Sequence, residues 1–195
     1  ELDHDFLWRC AKVLPERGRI GVFNRSHYEE VLVVKVHPEY LLNQNLPGIN
    51  SVEDVTPAFW KSRYEQINNW EKHLVENGTV VVKFFLHLSK KEQTERFLSR
   101  IEEEDKNWKF SKADMSERGY WDDYIRAYED MLSNTSTEWA PWYVIPADKK
   151  WFSRTAIGDI IVHKNEKINP QIPEVSEEDR AKLKETKRLL ESGEV

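Results

Sequence analysis

Residues 79–100 read TVVVKFFLHLSKKEQTERFLSR. From Thr79 to Leu88 the stretch is apolar except for Thr79, Lys83 and His87. A continuous apolar run of this length, rather than an alternating one, suits a central parallel strand covered on both faces. Ser89 follows at once, with Glu92 three residues on, which is the pattern of a capping box opening a helix. A buried strand running directly into a capped helix is half of a strand–helix–strand unit.

The rest of the chain repeats that alternation. GRIGVF (18–23) reads as a short buried strand, and WYVIPAD (142–148) as another. KKWFSRTAIGDIIVHK (149–164) reads as a closing helix. Between the first strand and Thr79, Trp60, Tyr64, Ile67, Trp70 and Leu74 recur every three or four residues, the spacing of an amphipathic helix. Asp54 or Thr56 caps it, Pro57 sits in its first turn, and Asn77-Gly78 ends it. A further helix carries Trp121, Tyr124, Ile125, Tyr128 and Leu132. At the start, LDHDFLWRCAKVL reads as a helix ending near Pro15. EVLVVKV (30–36) fits a strand or a helix, and periodicity does not decide between them. LLNQNLPGINSV (41–52) is a loop, and DKNWKFSKADMSERG (105–119) a polar, irregular connection. From Asn169 the chain turns to Pro, Glu and Lys, giving a peripheral helix or a disordered tail over 169–195. Strands alternating with helices imply an α/β fold with a parallel sheet and right-handed crossovers. The first 168 residues form its domain.

Composition sets outer bounds. A chain of 195 residues with eight Trp, eight Phe and seven Tyr can bury a sizeable core. The net charge of −6 argues against a general nucleic-acid binder, although a local basic groove remains compatible with it. The single Cys10 excludes an internal disulfide and fits a reducing cytoplasm. No apolar run is long enough to span a membrane. The chain opens at Glu1 rather than Met, and directly into LDHDFLWR, so its natural start is expected upstream.

In open parallel sheets ligands gather at the carboxyl ends of the strands. Asn24-Arg25 follows GRIGVF at that position. Asn offers an oxygen ligand and an amide donor, and Arg a planar fork suited to phosphate oxygens. Glu29 and Glu30 add hard oxygens for Mg²⁺. The plain alternative is a solvated strand-end loop. Arg96 and Arg100 share a helical face, where they either clamp a phosphoryl group or pair with Glu92, Glu103 or Glu104. Lys109, Lys112 and Arg118, among Trp108 and Phe110, suit a mobile lid over an anionic substrate or an ordinary exposed connection. Lys83 lies within an apolar strand, where its charge is costly unless the head reaches water or a partner. No histidine spacing suggests zinc. None of the seven glycines is followed by Lys, so no phosphate-binding loop of the form GxxxxGK[ST] is present.

Taken together, LDHDFLWR, LPERGRIGVFNRSHYEEVLVVKVHP, KFFLHLSKKEQTERFLSR, NWKFS, YWDDY and APWYVIPADKKWF resemble the polyphosphate kinase 2 family, in order and spacing, up to about Asn169. FNRSHYEEV is most similar to the branch acting on AMP and ADP. The resemblance implies a P-loop kinase-like, three-layer α/β/α parallel sheet with a helical lid, incomplete at the N-terminus. It implies a phosphoryl transfer between inorganic polyphosphate and adenine or guanine nucleotides, with Mg²⁺. By position, Asn24 and Arg25 match the family's Walker B-type pair, and Glu30 a nearby acidic position linked to the metal. Arg100 matches an arginine that contacts phosphates, and Lys106 to Arg118 the lid. Arg25 and Arg100 are then the catalytic residues. Asn24 and Glu30 are the metal ligands, and Lys83, Arg96, Lys109 and Arg118 the phosphate- or nucleotide-binding set. Asp3 to Asp5 lie near the nucleotide side in relatives and receive no role. The family's phosphate-binding loop is expected upstream of Glu1. A homo-oligomer fits the aromatic-rich helices. An ATP-dependent nucleoside monophosphate kinase and a non-catalytic phosphate- or nucleotide-binding module remain as alternatives.

Overall fold

The computed structural model describes residues 3–109 and 111–193, the side chain of Lys109 excepted. The chain divides into two units, Glu1–Ser153 and Arg154–Val195. Its helices are α1 (Trp8–Ala11), α2 (Val33–Val36), α3 (Pro57–Glu76), α4 (Lys90–Glu102), α5 (Lys112–Glu117), α6 (Trp121–Thr135), α7 (Lys150–Ile168) and α8 (Glu177–Ser192). Two strands, β1 (Lys83–His87) and β2 (Trp142–Pro146), pair in parallel, with Lys83 opposite Trp142 and His87 opposite Pro146.

The first unit is built on α3 and α6. Trp60, Tyr64, Ile67 and Glu71 fall on one face of α3, and Ala127, Met131 and Thr135 on one face of α6. Tyr64, Ile67, Ala127 and Met131 join Tyr28, Val31 and Leu32 in the core, with Phe6, Val36, Tyr128 and Trp142 packed around them. Local signals set the helix ends. Pro57 starts α3, which stops at Asn77 before Gly78, whose φ of 90° only glycine adopts freely. The Ser89 hydroxyl accepts the Glu92 N–H at 3.1 Å and opens α4. In the second unit, Ser176 caps α8 in the same way through the Asp179 N–H, and Gly193 ends it.

Three expectations need correction here. GRIGVF is not a strand. Ile20 and Val22 are 83% and 90% exposed, and no strand lies beside the segment among the described residues. Apolar residues supply the inclination to pair, but a strand exists only where a neighbour completes its hydrogen bonds. The N-terminal helix is likewise shorter than expected, four residues instead of a run to Pro15. EVLVVKV resolves as helix, a 3-10 turn over His27–Val31 passing into α2. The 105–119 connection is also helical, with a 3-10 turn at Glu104–Lys109, then α5, then a turn at Arg118–Tyr120.

Candidate functional site

The parallel pair β1–β2 ends at His87 and Pro146, and the Ala147 N–H donates to the His87 carbonyl at 2.9 Å, one step beyond the last paired residues. A cleft of about 420 Å³ opens there, lined by His87, Ser89, Ala147, Asp148, Trp151 and Phe152 among others. This is where a parallel sheet presents ligands. The Ser89 N–H donates to Asp148 Oδ1 at 2.8 Å. That bond holds the Asp148 carboxyl below its ordinary range. Arg96 stands behind the wall: Nε donates to Glu92 at 2.9 Å and Nη2 to the Ala147 carbonyl at 2.8 Å. Its fork braces α4 against the end of β2.

Asn24 and Arg25 are exposed at the tip before the His27 turn. Arg25 has φ 66°, an unusual conformation for a residue with a side chain. The Ser26 side chain caps the turn that follows, at 3.4 Å from the Tyr28 N–H. Burial raises the Tyr128 phenol pKa, Glu29 raises it further and Arg25 opposes, so both charged groups lie within electrostatic reach of Tyr128. Tyr128 stacks on Phe85 at 4.3 Å, and Phe85 neighbours His87 at 5.7 Å. Residues i and i+2 of a strand share a face. Phe85 and His87 therefore lie on one face of β1, with Tyr128 packed against it.

Glu30 does not join them. It is 4% exposed, with Oε1 at 3.0 Å from Arg63 Nε and Oε2 accepting from Gln44 at 2.9 Å. Arg63 is itself held between Phe6 and Phe59, at 4.7 and 4.8 Å from the ring centres. One Glu30 oxygen accepts from Gln44 and the other is ion-paired with Arg63, so the expected Mg²⁺ ligand is a buried ion-pair partner instead. Among the described residues no group of three His, Cys, Asp or Glu side chains is arranged to hold a metal. The pair Asn24 and Glu30 does not fit a metal centre.

Lys83 is corrected in the same sense. Its ammonium donates to Tyr28 Oη at 2.8 Å, Glu71 Oε2 at 2.7 Å and the Thr135 carbonyl at 2.8 Å. All three donors are used inside the core, and the head lies 5.2 Å from the centres of both the Tyr28 and Trp142 rings. Burial lowers the Lys83 pKa and Glu71 opposes that shift. The Tyr28 hydroxyl donates to Glu71 Oε1 at 2.7 Å, and burial pushes its pKa up. This cluster links the turn after Arg25 to α3, β1 and α6, so Lys83 is an internal tie and not a phosphate ligand.

Arg100 reaches Asp114 of α5 at 3.5 Å and lies 5.5 Å from the Phe97 ring centre. Arg118 donates to Gln93, to Thr94 Oγ1 at 2.6 Å and to the Lys90 carbonyl at 3.2 Å. These contacts fold the 104–120 segment back on α4. Glu117 adds a second latch, accepting from Tyr124 at 2.8 Å and meeting His37 Nε2 at 3.0 Å. The Lys109 side chain lies outside the described residues. Neither of the two clefts described is lined by Asn24, Arg25, Glu30 or Arg100. Sequence reasoning missed Arg63, Glu71, His37 and Glu117, none of which belongs to a recognisable local motif.

Residues 1–173 match the family model described as Polyphosphate kinase 2 (PPK2). The chain belongs to the polyphosphate kinase 2 family. It is 53% identical over 190 residues to an ADP-polyphosphate phosphotransferase of Rhodopseudomonas palustris, covering 97% of this chain and 65% of that protein. It is 42% identical over 174 residues to an AMP/ADP-polyphosphate phosphotransferase of Meiothermus ruber, covering 89% of this chain and 60% of that protein. The crystal structure of Polyphosphate Kinase 2 from Arthrobacter aurescens TC1 superposes with a TM-score of 0.79 at 39% identity, over 93% of this chain and 60% of that one. The chain thus spans less than two thirds of the length of these relatives. The likeness gives it the P-loop kinase-like α/β fold of polyphosphate kinase 2 structures. No helix among its described residues is long and apolar enough to cross a membrane.

Proposed function

We propose that this chain is part of a polyphosphate-dependent nucleotide kinase, moving a phosphoryl group between inorganic polyphosphate and AMP or ADP. The family match over residues 1–173 carries the reading. Phosphoryl transfer asks little covalent work of the protein; it needs reactants held in line and the charge on the equatorial oxygens neutralised. Arg25 is the leading candidate for the second task, being exposed at the tip before the His27 turn. Arg100 is the other, since its 3.5 Å contact with Asp114 is loose enough to be exchanged for a phosphate oxygen. Arg96 and Arg118 act as struts that hold α4 and the 104–120 segment in position. Magnesium enters with the phosphate chain, keeping much of its water, and not through a protein cage built on Glu30.

The sequence holds no GxxxxGK[ST] loop, the usual backbone cradle for phosphates. That observation favours a second reading, a module that binds nucleotide or phosphate without turnover. Incubating the protein with polyphosphate, Mg²⁺ and AMP or ADP, and resolving the nucleotides by chromatography, separates the readings. ADP or ATP formed only when polyphosphate is present supports the kinase. A strict need for ATP as donor points to a nucleoside monophosphate kinase, and binding without product to the module. A homo-oligomer belongs to the same proposal, resting on exposed apolar residues of α4 such as Leu98 and Ile101, and light scattering tests it.

A further inference from the structure

We infer that His37 is a charge-operated latch on residues 112–120, holding α5 and the turn at Arg118–Tyr120 while its ring is protonated and loosening them when it is neutral. His37 joins α2 to the 3-10 turn at Pro38–Asn43 and is 8% exposed. Its ring meets Tyr120 edge-on at 4.7 Å and lies 5.5 Å from Tyr40. Both ring nitrogens face carboxylates. Nε2 is 3.0 Å from Glu117 Oε2, and Nδ1 is 3.4 Å from Glu39 Oε1. Tyr124 of α6 steadies Glu117 from the other side, its hydroxyl donating at 2.8 Å. Among the described residues Glu117 has no ion-pair partner besides His37. The adjacent cation, Arg118, is turned away to Gln93, Thr94 and Lys90 on α4.

Only an imidazolium satisfies both contacts. It carries two N–H groups, whereas a neutral ring carries one N–H and one lone pair. Whichever nitrogen keeps the proton, the other then turns a lone pair toward a carboxylate oxygen. The contact that survives loses its charge, and charge-assisted hydrogen bonds are about twice as strong as neutral ones. Glu117 stays ionised throughout, because the His37 bond, helped by Tyr124 and opposed by burial, holds its carboxyl below the ordinary range. The latched arrangement therefore binds a proton that the loosened one holds less well. Latching is favoured as pH falls and is lost as pH rises through the range, about pH 5–8, in which histidines change charge. Arg118 ties the same segment to α4 through groups that do not titrate there, so the segment loosens on the His37 side and is not released. What moves is α5, and with it Asp114, which meets Arg100 at 3.5 Å.

Hydrogen exchange on the full chain, expressed as protection factors so that the chemical pH dependence divides out, tests this. Residues 112–120 should lose protection several-fold between about pH 5.5 and about pH 8, while β1 and β2 keep theirs. The His37 ring signal in NMR, assigned by its disappearance in His37→Gln, should titrate at the pH where that protection falls. Glu117→Gln keeps an acceptor for Tyr124 and removes the charge, so it should abolish most of the pH dependence. Should His37→Gln fail to fold, the ring signal is assigned by its shift in Glu117→Gln, where the replaced side chain is 43% exposed. Protection over 112–120 that is flat across this range, rises with pH, follows a midpoint other than that of His37, or varies equally in Glu117→Gln overturns the latch. None of these readouts uses turnover, so failure of the kinase reading leaves the latch standing.

Discussion

Lys83→Met is the sharpest perturbation of this fold. It removes an ammonium that meets Tyr28, Glu71 and the Thr135 carbonyl within 2.8 Å. The Glu71 side chain is 1% exposed, so water cannot replace the lost partner. Breaking one side of a buried ion pair costs about 3–5 kcal/mol, because the remaining charge stays desolvated. Domains of this size are stable by only about 5–15 kcal/mol. The loss should appear as a large fall in the urea midpoint with little change in slope, and as a drop in Tm of about 10 °C. Glu71→Gln in the Lys83→Met background leaves no buried charge and should recover a large part of the loss. A cost below about 1 kcal/mol for Lys83→Met, or simple additivity of the two substitutions, would refute the reasoning. Were Lys83 a phosphate ligand instead, its removal would weaken polyphosphate binding and leave the midpoint in place.

Glu30→Gln should lower the urea midpoint by a few kcal/mol equivalent, about 3, through the stranded Arg63, and leave any Mg²⁺ dependence of activity unchanged; an altered metal requirement with an intact midpoint would return Glu30 to the metal site. Arg118→Ala removes the contacts with Gln93, Thr94 and Lys90 that hold α5 and the turn at Arg118–Tyr120, so amide exchange over 112–120 should quicken while β1 and β2 keep their protection. Burial raises the pKa of Tyr28, Tyr124 and Tyr128 above the ordinary phenol value. These phenols stay protonated in the fold while the unfolded chain ionises near pH 10, so the native state binds more protons and stability must fall as pH rises beyond that point. The lowered Lys83 pKa acts the other way, but only up to the free lysine value of 10.5. Above that value Lys83 no longer opposes the decline, which should be seen as alkaline unfolding coincident with tyrosinate absorbance.

What was legible in the sequence was whatever local chemistry decides. The periodicity of Trp60, Tyr64 and Ile67, the cap at Ser89 and the stop at Gly78 each act within a turn of helix, and the structure places them as read. GRIGVF failed because strand formation depends on a neighbour that no local pattern supplies. Lys83 was recognisable as a charge in need of a partner, yet its partner sits on α3 and reaches it only through tertiary packing. Glu30 is one of two adjacent glutamates, and which of them points inward depends on the 3-10 turn at His27–Val31 and on Arg63. Of the candidate site, the sequence pointed to Arg25 and to the 105–119 connection as expectations, but not to the carboxylates and aromatics that surround them. In the sequence, Asp148 and Trp151 show only as a strand end and a helix start.

The parallel pairing of β1 with β2 also bears on how the protein is made. During synthesis the apolar β1 leaves the ribosome about sixty residues ahead of the strand that pairs with it, an interval of roughly 3–12 s at ordinary elongation rates. Through that interval its backbone groups are unsatisfied and Phe84, Phe85 and Leu86 are open to any other nascent chain. The helices α4 to α6 are born in the gap, and they can shield the waiting strand before its partner arrives.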